Sequence, residues 1–520
     1  MKLDAVVSLQ QPVLDTLGRV AAGELTLDQA KPVIAPFSIY PQRDGLAMAR
    51  VRVAGGELTT DELAFLAALT RRSRAAFAHL TTRQDIQLHG LAPDAAAELI
   101  RACTANGFPF RGGCGDTFRN IAISPGSGFA PGSLFDLAPY AKFLTDVIYD
   151  WDDAFKLPRK LKIGFASATD AALARRQDLG FVEALDDAGR RGFAVYGGGG
   201  FGRNPLLGVP LFDFLPAADA VLAARAMVEL FYDHGNREQR GEARVRFILK
   251  KLGETAFREL FLDYFRRLDR RHYPRPPRFP KNSPCAAAPL RRYPAERKLE
   301  ADPEFQAWRQ LAVRPTRISS RRVSVTLFIP NGVLKATDFA AVVKLLNTFA
   351  VPAVRLTPEQ NFLIPALDQS ALPALFRALR ALPPDLTFRS LAGQLECCIG
   401  STVCKIGILD APRYGVAVAE AIERELVKLP PERRAGLRTK ILEAVHFSGC
   451  PNSCTSHQAV RFGFHGCRKV IDGAPSDAFV LWRRDPADPD ALGVMTEEVI
   501  PGDRLPARVV ELLAEAGLLR

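Results

Sequence analysis

Four cysteines in two pairs are the first side chains whose types and spacing point to chemistry. Five residues separate Cys398 from Cys404, and three separate Cys450 from Cys454. Two thiolate pairs on separate loops supply the four ligands that a [4Fe–4S] cluster requires. A structural zinc is the competing interpretation, but its cysteine pairs usually enclose about two to four residues, so the wider gap favours a cluster. Buried cysteines that act only as small apolar side chains are the third interpretation, and the surrounding Gly, Pro and Asn residues count against it.

The composition of the 520 residues is that of a globular protein with several domains. Hydrophobic residues make up 48% and charged residues 24%, and no apolar run is long enough to span a bilayer. The N-terminus lacks the pattern of a signal peptide and the nine cysteines are unevenly placed, so we expect a cytoplasmic protein. The formal charge of +12 suits an anionic substrate or an acidic partner protein. Without a zinc-finger, RNA-recognition or basic-zipper pattern, it does not indicate binding to nucleic acid.

An internal repeat indicates the elements that must position these residues. Residues 45–92 and 322–368 each read as an alternating strand, a turn with Gly and Thr, an amphipathic helix and a second strand. The second strand leads into LTTRQDIQLHGL in the first copy and into LTPEQNFLIPAL in the second, and Gln84 aligns with Gln360 without gaps. A further helix is predicted after each copy. The repeat predicts an α+β fold built on duplicated ferredoxin-like half-domains.

The copies are joined by a segment rich in proline and arginine. Seven prolines within residues 271–299 predict an extended linker, because proline at this density is incompatible with a helix or a central strand. Residues 1–38, which precede the first copy, are predicted to form a short helical arm.

The second cysteine pair lies in a longer motif, Ser-Gly-Cys-Pro-Asn-Ser-Cys, at residues 448–454. Together with the Cys-x5-Cys pair it resembles the cluster motif of the sirohaem-containing sulfite and nitrite reductases, which are also built on a pseudo-twofold duplication. The resemblance covers about residues 38–480. It implies two cofactors, sirohaem and a [4Fe–4S] cluster, with the cluster held by Cys398, Cys404, Cys450 and Cys454. It also implies that the sulfur of Cys454 bridges the cluster and the haem iron.

The resemblance and the repeat together predict six segments. Each half-domain is followed directly by an α/β domain that binds sirohaem or the cluster, and the linker separates the two pairs. The segments are a helical arm at 1–38, a first half-domain at 39–110, a substrate-side sirohaem domain at 111–270, the linker at 271–320, a second half-domain at 321–390, and a 4Fe–4S and sirohaem domain at 391–520.

Three further motifs resemble parts of this family that carry basic residues. In TTRQDIQ (81–87), CGDTFRN (114–120) and LPRKLK (157–162), the resemblance implies that Arg83, Arg119, Lys160 and Lys162 face the substrate. Arginine and lysine supply the permanent positive charge that an oxyanion needs. Contacts with the cofactors are implied for Arg159, Gln87, Asn120, Asn452 and Cys454.

The activity implied is the six-electron reduction of sulfite to sulfide, with nitrite reduction to ammonia as the alternative. Sulfite enzymes of the family tend to keep the second lysine of LPRKxK, where nitrite enzymes often carry asparagine, so Lys162 favours sulfite. A non-sulfite relative from a sirohaem or corrinoid pathway is a further alternative, and the intact basic residues count against it. The glycine run at 197–200 lacks the context of a nucleotide-binding loop, and we expect it to approach the haem. Electrons are therefore expected from a separate acidic donor, a ferredoxin or a flavoprotein subunit.

Cys397 and Cys398 are adjacent, and only one of them fits the motif. Counting five residues back from Cys404 gives Cys398. In a strand, the side chain of Cys397 points to the opposite face, so we expect Cys398 to bind the cluster and Cys397 to pack in the core.

Overall fold

The computed structural model describes residues 3–280, 290–383, 386, 390–471, 473–488 and 491–519. The chain divides into two units, and neither is continuous in sequence. Unit 1 consists of Met1–Gly200, Leu206–Ala287 and Ala353–Thr357. Unit 2 consists of Phe201–Pro205, Ala288–Pro352 and Pro358–Arg520.

Unit 1 holds the first copy of the repeat and the domain that follows it. Its helices are α1 (Leu3–Ala21), α2 (Leu27–Ile34), α3 (Thr60–Arg72), α4 (Pro93–Ala105), α5 (Ala138–Ile148), α6 (Ala171–Arg175), α7 (Ala220–His234), α8 (Val245–Leu252) and α9 (Glu254–Arg267). Its strands are β1 (Ile39–Pro41), β2 (Ala47–Val51), β3 (Glu57–Thr59), β4 (Phe77–Leu80), β5 (Ile86–Leu91), β6 (Ala122–Ile123), β7 (Ile163–Ala166), β8 (Leu179–Leu185), β9 (Arg191–Gly197), β10 (Val209–Pro216) and β14 (Ala353–Leu356).

Two sheets and the pairing of β3 with β14 organise unit 1. Strands β1, β2, β5 and β4 pair antiparallel in that order, as a ferredoxin-like half-domain requires. Strands β6, β7 and β8 pair in parallel, and β9 and β10 extend this sheet antiparallel. β14, which comes from the second copy, pairs antiparallel with β3. A large aromatic core that includes Phe165, Phe181 and Phe193 packs between the second sheet and helices α5 and α7.

Unit 2 holds the rest of the second copy and the C-terminal domain. Its helices are α10 (Arg297–Glu300), α11 (Pro303–Ala312), α12 (Ala336–Thr348), α13 (Leu372–Arg380), α14 (Ala411–Leu426), α15 (Pro431–Ala444) and α16 (Leu505–Glu515). Its strands are β11 (Val313–Pro315), β12 (Arg322–Leu327), β13 (Val333–Leu334), β15 (Phe362–Asp368), β16 (Glu396–Cys397), β17 (Val445–Ser448), β18 (Phe462–Ile471), β19 (Ala474–Arg483) and β20 (Val494–Pro501).

The C-terminal sheet of unit 2 repeats the topology of the second sheet of unit 1. Strands β16, β17 and β18 pair in parallel, and β19 and β20 add antiparallel at one edge. Each unit therefore carries three parallel strands followed by two antiparallel ones, in chain order. The α+β class and the duplication predicted from the sequence are confirmed, and the duplication extends beyond the half-domains into the domains that follow them.

The copies differ from the prediction in two details. A short strand, β3 or β13, stands between the first strand and the helix, and the region predicted as one second strand is a hairpin in the first copy, β4–β5. Gln84 and Gln360 both lie in turns with left-handed φ values of 59° and 62°, so the aligned residues share an unusual backbone conformation. The helix after β3 begins with a capping box, in which Thr59 Oγ1 accepts from Glu62 N (3.1 Å) and Glu62 Oε2 accepts from Thr59 N (2.7 Å).

Residues 281–289 of the predicted linker, including Cys285, lie outside the described residues. On either side, residues 274–280 and 290–296 form neither helix nor strand, as their proline content predicts. The C-terminal part of the range assigned to the linker forms α10, α11 and β11, which the proline count did not anticipate. In the described part of the chain, no helix has the length and apolarity needed to cross a membrane.

Candidate cluster and anion-binding sites

The two cysteine loops of unit 2 are joined by backbone hydrogen bonds. Cys398 N donates to Phe447 O (3.1 Å), and Gly449 N donates to Cys398 Sγ (3.1 Å). Ile408 N and Leu409 N both donate to Gly449 O, at 3.0 and 2.9 Å. The loop after β16 and the loop after β17 are therefore fixed against each other.

Glycines allow this close approach. A Cβ atom on Gly449 would lie 2.5 Å from Leu409 O and 3.0 Å from Gly400 Cα, and one on Gly407 would lie 2.7 Å from Gly400 C. Gly400 also has a φ of 59°, a conformation that other residues adopt at a cost. The backbone atoms leave no space for side chains here, so the loops depend on glycine at these positions.

The four candidate thiols are electrostatic neighbours. Burial raises the pKa of Cys398 well above its usual range, and the charge of Cys454 raises it further. Burial raises the pKa of Cys450 to about 11, with Cys454 and Cys404 as neighbouring charges, while the Asn452 N–H donates to its sulfur and opposes the shift. Four thiols that repel one another when ionised are suited to a strongly cationic group.

Among the described residues, no group of three or more His, Cys, Asp or Glu side chains is placed so that it could hold a metal ion. The ligands of a [4Fe–4S] cluster bind different iron atoms. The choice between a cluster and zinc therefore rests on the spacing of the cysteines in the sequence.

Cys397 packs away from this group. It ends β16 and is 2% exposed, in the same apolar cluster as Phe447. A Cβ atom on Gly415 of α14 would lie 2.3 Å from its sulfur, so the thiol fills the space that this glycine leaves. The prediction that Cys397 packs in the core is confirmed.

Side chains behind the second loop hold it in place. His446 on β17 donates from Nδ1 to Thr455 O (2.8 Å), one residue after Cys454, and its Nε2 lies 3.3 Å from Glu396 Oε2. Ser448 Oγ and Thr455 Oγ1 are 2.7 Å apart and hydrogen-bonded. This network fixes the backbone on both sides of Cys450 and Cys454.

Two of the predicted substrate-side residues, Arg83 and Arg119, are held mainly by backbone carbonyls. Arg83 follows β4, is half-buried, and donates to Gln177 Oε1 (2.8 Å), Ile163 O (3.1 Å) and Asn120 O. Arg119 donates to the carbonyls of Gly115 (2.8 Å) and Thr117 (3.0 Å). These contacts fix each guanidinium without neutralising its charge.

The two lysines lie beside Arg119. Arg119 N donates to Leu161 O (2.8 Å), and Leu161 N donates to Thr117 O (3.2 Å), so residues 117–119 and the LPRKLK segment run side by side. Lys160 and Lys162 flank Leu161 and are half-buried. Arg119, Lys160 and Lys162 therefore share one region of unit 1.

Electrostatics connect this region to Arg83. Burial lowers the pKa of Arg83 to about 10 and that of Arg119 to about 9, and both groups remain cationic at neutral pH. Arg50 is a neighbouring positive charge for both. Arg244 is a further positive neighbour of Arg83. Arg83 and Arg119 thus share Arg50 as a positive neighbour, and Lys160 and Lys162 lie on the segment that pairs with residues 117–119.

Arg159 takes a different position. It pairs with Asp116 at 3.0 Å, and Asp116 also pairs with Arg240 at 2.8 Å. Arg237 donates to Lys156 O at 3.2 Å. The segment around residues 237–240 is therefore attached to the loop that carries the lysines.

Two residues predicted to contact a cofactor have structural partners. Asn120 Nδ2 donates to the carbonyls of Val53 (2.8 Å) and Arg83 (3.0 Å), while its Oδ1 has no partner among the described residues. Gln87, in the orientation that satisfies its amide, donates to His79 Nδ1 (3.1 Å) and accepts from Arg50 (2.7 Å). Both residues contact arginines of this region, which we call the basic cluster, and their contact with a cofactor stays a prediction. The basic cluster consists of Arg50, Arg83, Arg119, Lys160 and Lys162.

Sequence reasoning missed three basic residues in this region. Arg50 lies on β2, and Arg244 and Arg246 lie at the start of α8. The signal was present: Arg50 interrupts an apolar strand, and Arg244 and Arg246 alternate at the start of an amphipathic helix. Desolvation lowers the pKa of Arg246 to about 10.

The glycine run at 197–200 serves a contact within unit 1. A Cβ atom on Gly199 would lie 2.2 Å from Arg175 O and 2.6 Å from Gln177 O, and one on Gly200 would lie 3.1 Å from Arg246. We expected these glycines to approach the haem. In the structure Gly199 is required by its packing against the protein's own backbone.

Comparison with known families identifies two domain types in the chain. Residues 114–268 match the family model described as nitrite and sulphite reductase 4Fe-4S domain. Residues 40–106 and 319–382 match the nitrite/sulfite reductase ferredoxin-like half domain, once in each copy of the repeat. The matched ranges together cover more than half of the chain. The 4Fe-4S match contains only Cys114 among the cysteines, so the candidate ligands lie outside it.

Curated relatives show the same similarity over most of the chain. The ferredoxin–nitrite reductase of Synechococcus elongatus is 29% identical over 449 residues, which are 83% of this chain and 78% of the relative. A ferredoxin-dependent sulfite reductase of Mycolicibacterium paratuberculosis is 25% identical over 419 residues, 81% of this chain and 69% of the relative. The solved structure of the Mycobacterium tuberculosis NirA protein covers 98% of this chain and 92% of its own, with a TM-score of 0.75 and 21% identity, and so shares the fold.

Proposed function

We propose that this chain, which belongs to the family of nitrite and sulfite reductases, reduces sulfite to sulfide. Its cofactors are sirohaem and a [4Fe–4S] cluster, which when bound would supply one-electron redox chemistry for the reduction. Balance requires that one sulfite dianion, six electrons and seven protons give one hydrosulfide and three waters.

The cysteine loops of unit 2 are suited to hold the cluster. Cys398, Cys404, Cys450 and Cys454 are neighbouring thiols on two loops whose backbones are hydrogen-bonded. We assign to Cys454, the exposed thiol of the four, the side of the cluster that would face the sirohaem, and it would hold both cofactors. Asn452 supports Cys450 by donating to its sulfur.

The basic cluster of unit 1 is suited to the anionic partners. Sirohaem carries several carboxylates and sulfite is an anion, so both require fixed positive charge in a partly desolvated region. We assign the substrate side to Arg83, Arg119, Lys160 and Lys162, and a haem carboxylate to Arg159. The substrate-side residues neutralise the anion, polarise its S–O bonds and hold the protons that leave with each oxygen as water.

Lys162 is the observation that carries the choice of sulfite. Its main chain is fixed on both sides, because Lys162 N donates to Asp178 (2.7 Å) and its carbonyl accepts from Leu179 N (3.2 Å). A second ammonium beside Lys160 favours an anion of higher charge, and sulfite can carry two negative charges where nitrite carries one. Nitrite is the second candidate, because the Synechococcus relative named as a nitrite reductase is the more similar of the two curated enzymes described above.

Steady-state kinetics with both anions and one artificial donor tests the assignment. We expect a higher kcat/KM for sulfite than for nitrite, and we expect Lys162→Asn to lower the sulfite value by about tenfold or more while changing the nitrite value less. Lys251→Asn, on the exposed face of α8, is the matched control. A wild-type preference for nitrite would contradict the sulfite assignment.

The electron donor that fits best is an acidic ferredoxin in the cytoplasm. The relatives described above are named as ferredoxin-dependent, and the +12 charge of this chain favours an acidic partner. Turnover with ferredoxin should slow as the salt concentration rises, whereas turnover with a neutral artificial donor should change little. Equal responses to salt would contradict electrostatic docking.

A further inference from the structure

Gln177 and Asp178, immediately before β8, contact the basic cluster without belonging to any motif singled out in the sequence. The Asp178 side chain is 0% exposed. Its backbone carbonyl accepts from Gly198 N (2.9 Å), which anchors the residue to the glycine run. A buried carboxylate at this position requires a specific compensating environment.

The groups around Asp178 are arginine side chains and the main-chain N–H of Lys162, all in the region of the candidate anion site. Asp178 accepts from Arg244 through both oxygens, at 3.2 Å from Nε and 2.7 Å from NH2, and its Oδ2 also accepts from Lys162 N at 2.7 Å. It is an attractive charge for Arg83 and for Arg246. One carboxylate therefore touches or faces groups from three segments: the arginines at the start of α8, Arg83 after β4, and the main chain of Lys162.

Gln177 extends the same arrangement. Its Oε1 accepts from Arg83 (2.8 Å), and its Nε2 donates to Leu173 O (3.0 Å), so the amide is fixed at both ends. Gly199 lies too close to Gln177 O for a side chain, which keeps the backbone of this segment in place. Two consecutive residues thus position Arg83, Lys162 and Arg244.

We propose that Asp178 is a positioning residue that orients Lys162 and Arg244 for the bound anion and moderates the positive charge of the site. The inference rests on the proposed function only in placing the anion at this cluster, and it applies to sulfite and nitrite alike. The carboxylate holds the main chain of Lys162 and the guanidinium of Arg244 in fixed geometry. Its negative charge also opposes the binding of any anion nearby.

Two substitutions separate these roles. Asp178→Asn keeps an acceptor for Lys162 N but removes the charge, so the anion should bind about three to ten times more tightly while kcat falls by about tenfold. Asp178→Glu keeps the charge but displaces the carboxylate by one methylene, so kcat should fall while anion affinity stays within about twofold of wild type. A loss of folding alone does not lower KM and kcat together.

The holoenzyme variants are compared by four measurements: sirohaem per chain, the thermal unfolding midpoint, the dissociation constants of sulfite and nitrite from spectral titration, and kcat and KM with one artificial donor. Asp219→Asn is the control, because Asp219 is also a buried carboxylate of unit 1 paired with an arginine, Arg270, at 2.9 Å. Weaker anion binding in Asp178→Asn, or unchanged affinity and kcat, would overturn the inference. If Asp178→Asn does not fold, unchanged kcat in Asp178→Glu overturns it. A wild-type preference for nitrite would overturn the sulfite assignment alone.

Discussion

Arg355 of β14 is a fully buried cation whose removal should measurably destabilise unit 1. Its side chain is 0% exposed and donates to Glu57 Oε2 (3.0 Å) and Asp136 Oδ1 (2.6 Å). The guanidinium also donates to the carbonyls of Pro125 (3.1 Å) and Ser127 (2.5 Å). Asp136 is 1% exposed, so this carboxylate depends on Arg355 for compensation.

Arg355→Met preserves much of the volume but leaves the buried carboxylates without their arginine. Breaking a buried ion pair by removing one partner costs about 3–5 kcal/mol. For a domain of this size each kcal/mol corresponds to about 2–4 °C, so the unfolding midpoint of unit 1 should fall by roughly 6–20 °C. Asp136→Asn added to Arg355→Met should restore part of the loss, because the unpaired charge is then absent.

Thermal unfolding followed by calorimetry measures these effects. Arg309→Met, on the exposed face of α11, is the control and should change stability by less than about 0.5 kcal/mol. A loss below about 1 kcal/mol in Arg355→Met, or no rescue by Asp136→Asn, would refute the reasoning.

Three further predictions concern the cysteine loops and the buried histidines. Cys398→Ser should lose the cluster, measured as iron and sulfide per chain, whereas Cys397→Ser should keep it and lose about 1–3 kcal/mol of stability through a buried hydroxyl. Gly449→Ala should lower cluster content, because the new Cβ would lie 2.5 Å from a backbone oxygen. His79 and His465 have pKa values lowered by burial to about 4, so they bind protons more weakly in the folded than in the unfolded state. Stability is full above the unfolded pKa and is lost as the pH falls, by about 2 kcal/mol per histidine between pH 7.5 and pH 5 in equilibrium unfolding.

One control variant and two contradicting outcomes test these three predictions. Gly18→Ala, in α1 with no atom within 4 Å of the added Cβ, should leave cluster content unchanged. Full cluster content in Cys398→Ser with loss in Cys397→Ser would reverse the ligand assignment. Stability that stays constant from pH 7.5 to pH 5 would show that the histidines are not buried as neutral groups.

The fold was largely predictable because its signals are local. Alternation and helical periodicity mark each copy of the repeat, and the alignment of Gln84 with Gln360 identified two turns with the same left-handed conformation. The pairing of β14 with β3 was not predictable, because the two strands are about 300 residues apart and their sequences do not specify a partner.

The candidate site was predictable where spacing carries the information. The five-residue gap distinguished Cys398 from Cys397, and the packing of Cys397 confirms its half of that prediction. Arg50 and Asp178 were missed because neither belongs to a motif whose spacing indicates a function. Their role appears only when strands and loops that are distant in sequence are brought together.

The discontinuity of unit 1 has a consequence for the nascent chain. Synthesis proceeds at about 5–20 residues per second, so residues 353–357 emerge roughly 4–14 s after residue 287. During that interval β3 lacks its strand partner, and Glu57 and Asp136 lack their arginine. The N-terminal half of the chain therefore cannot complete its fold as it leaves the ribosome, and its final assembly waits for a five-residue segment translated with the other half.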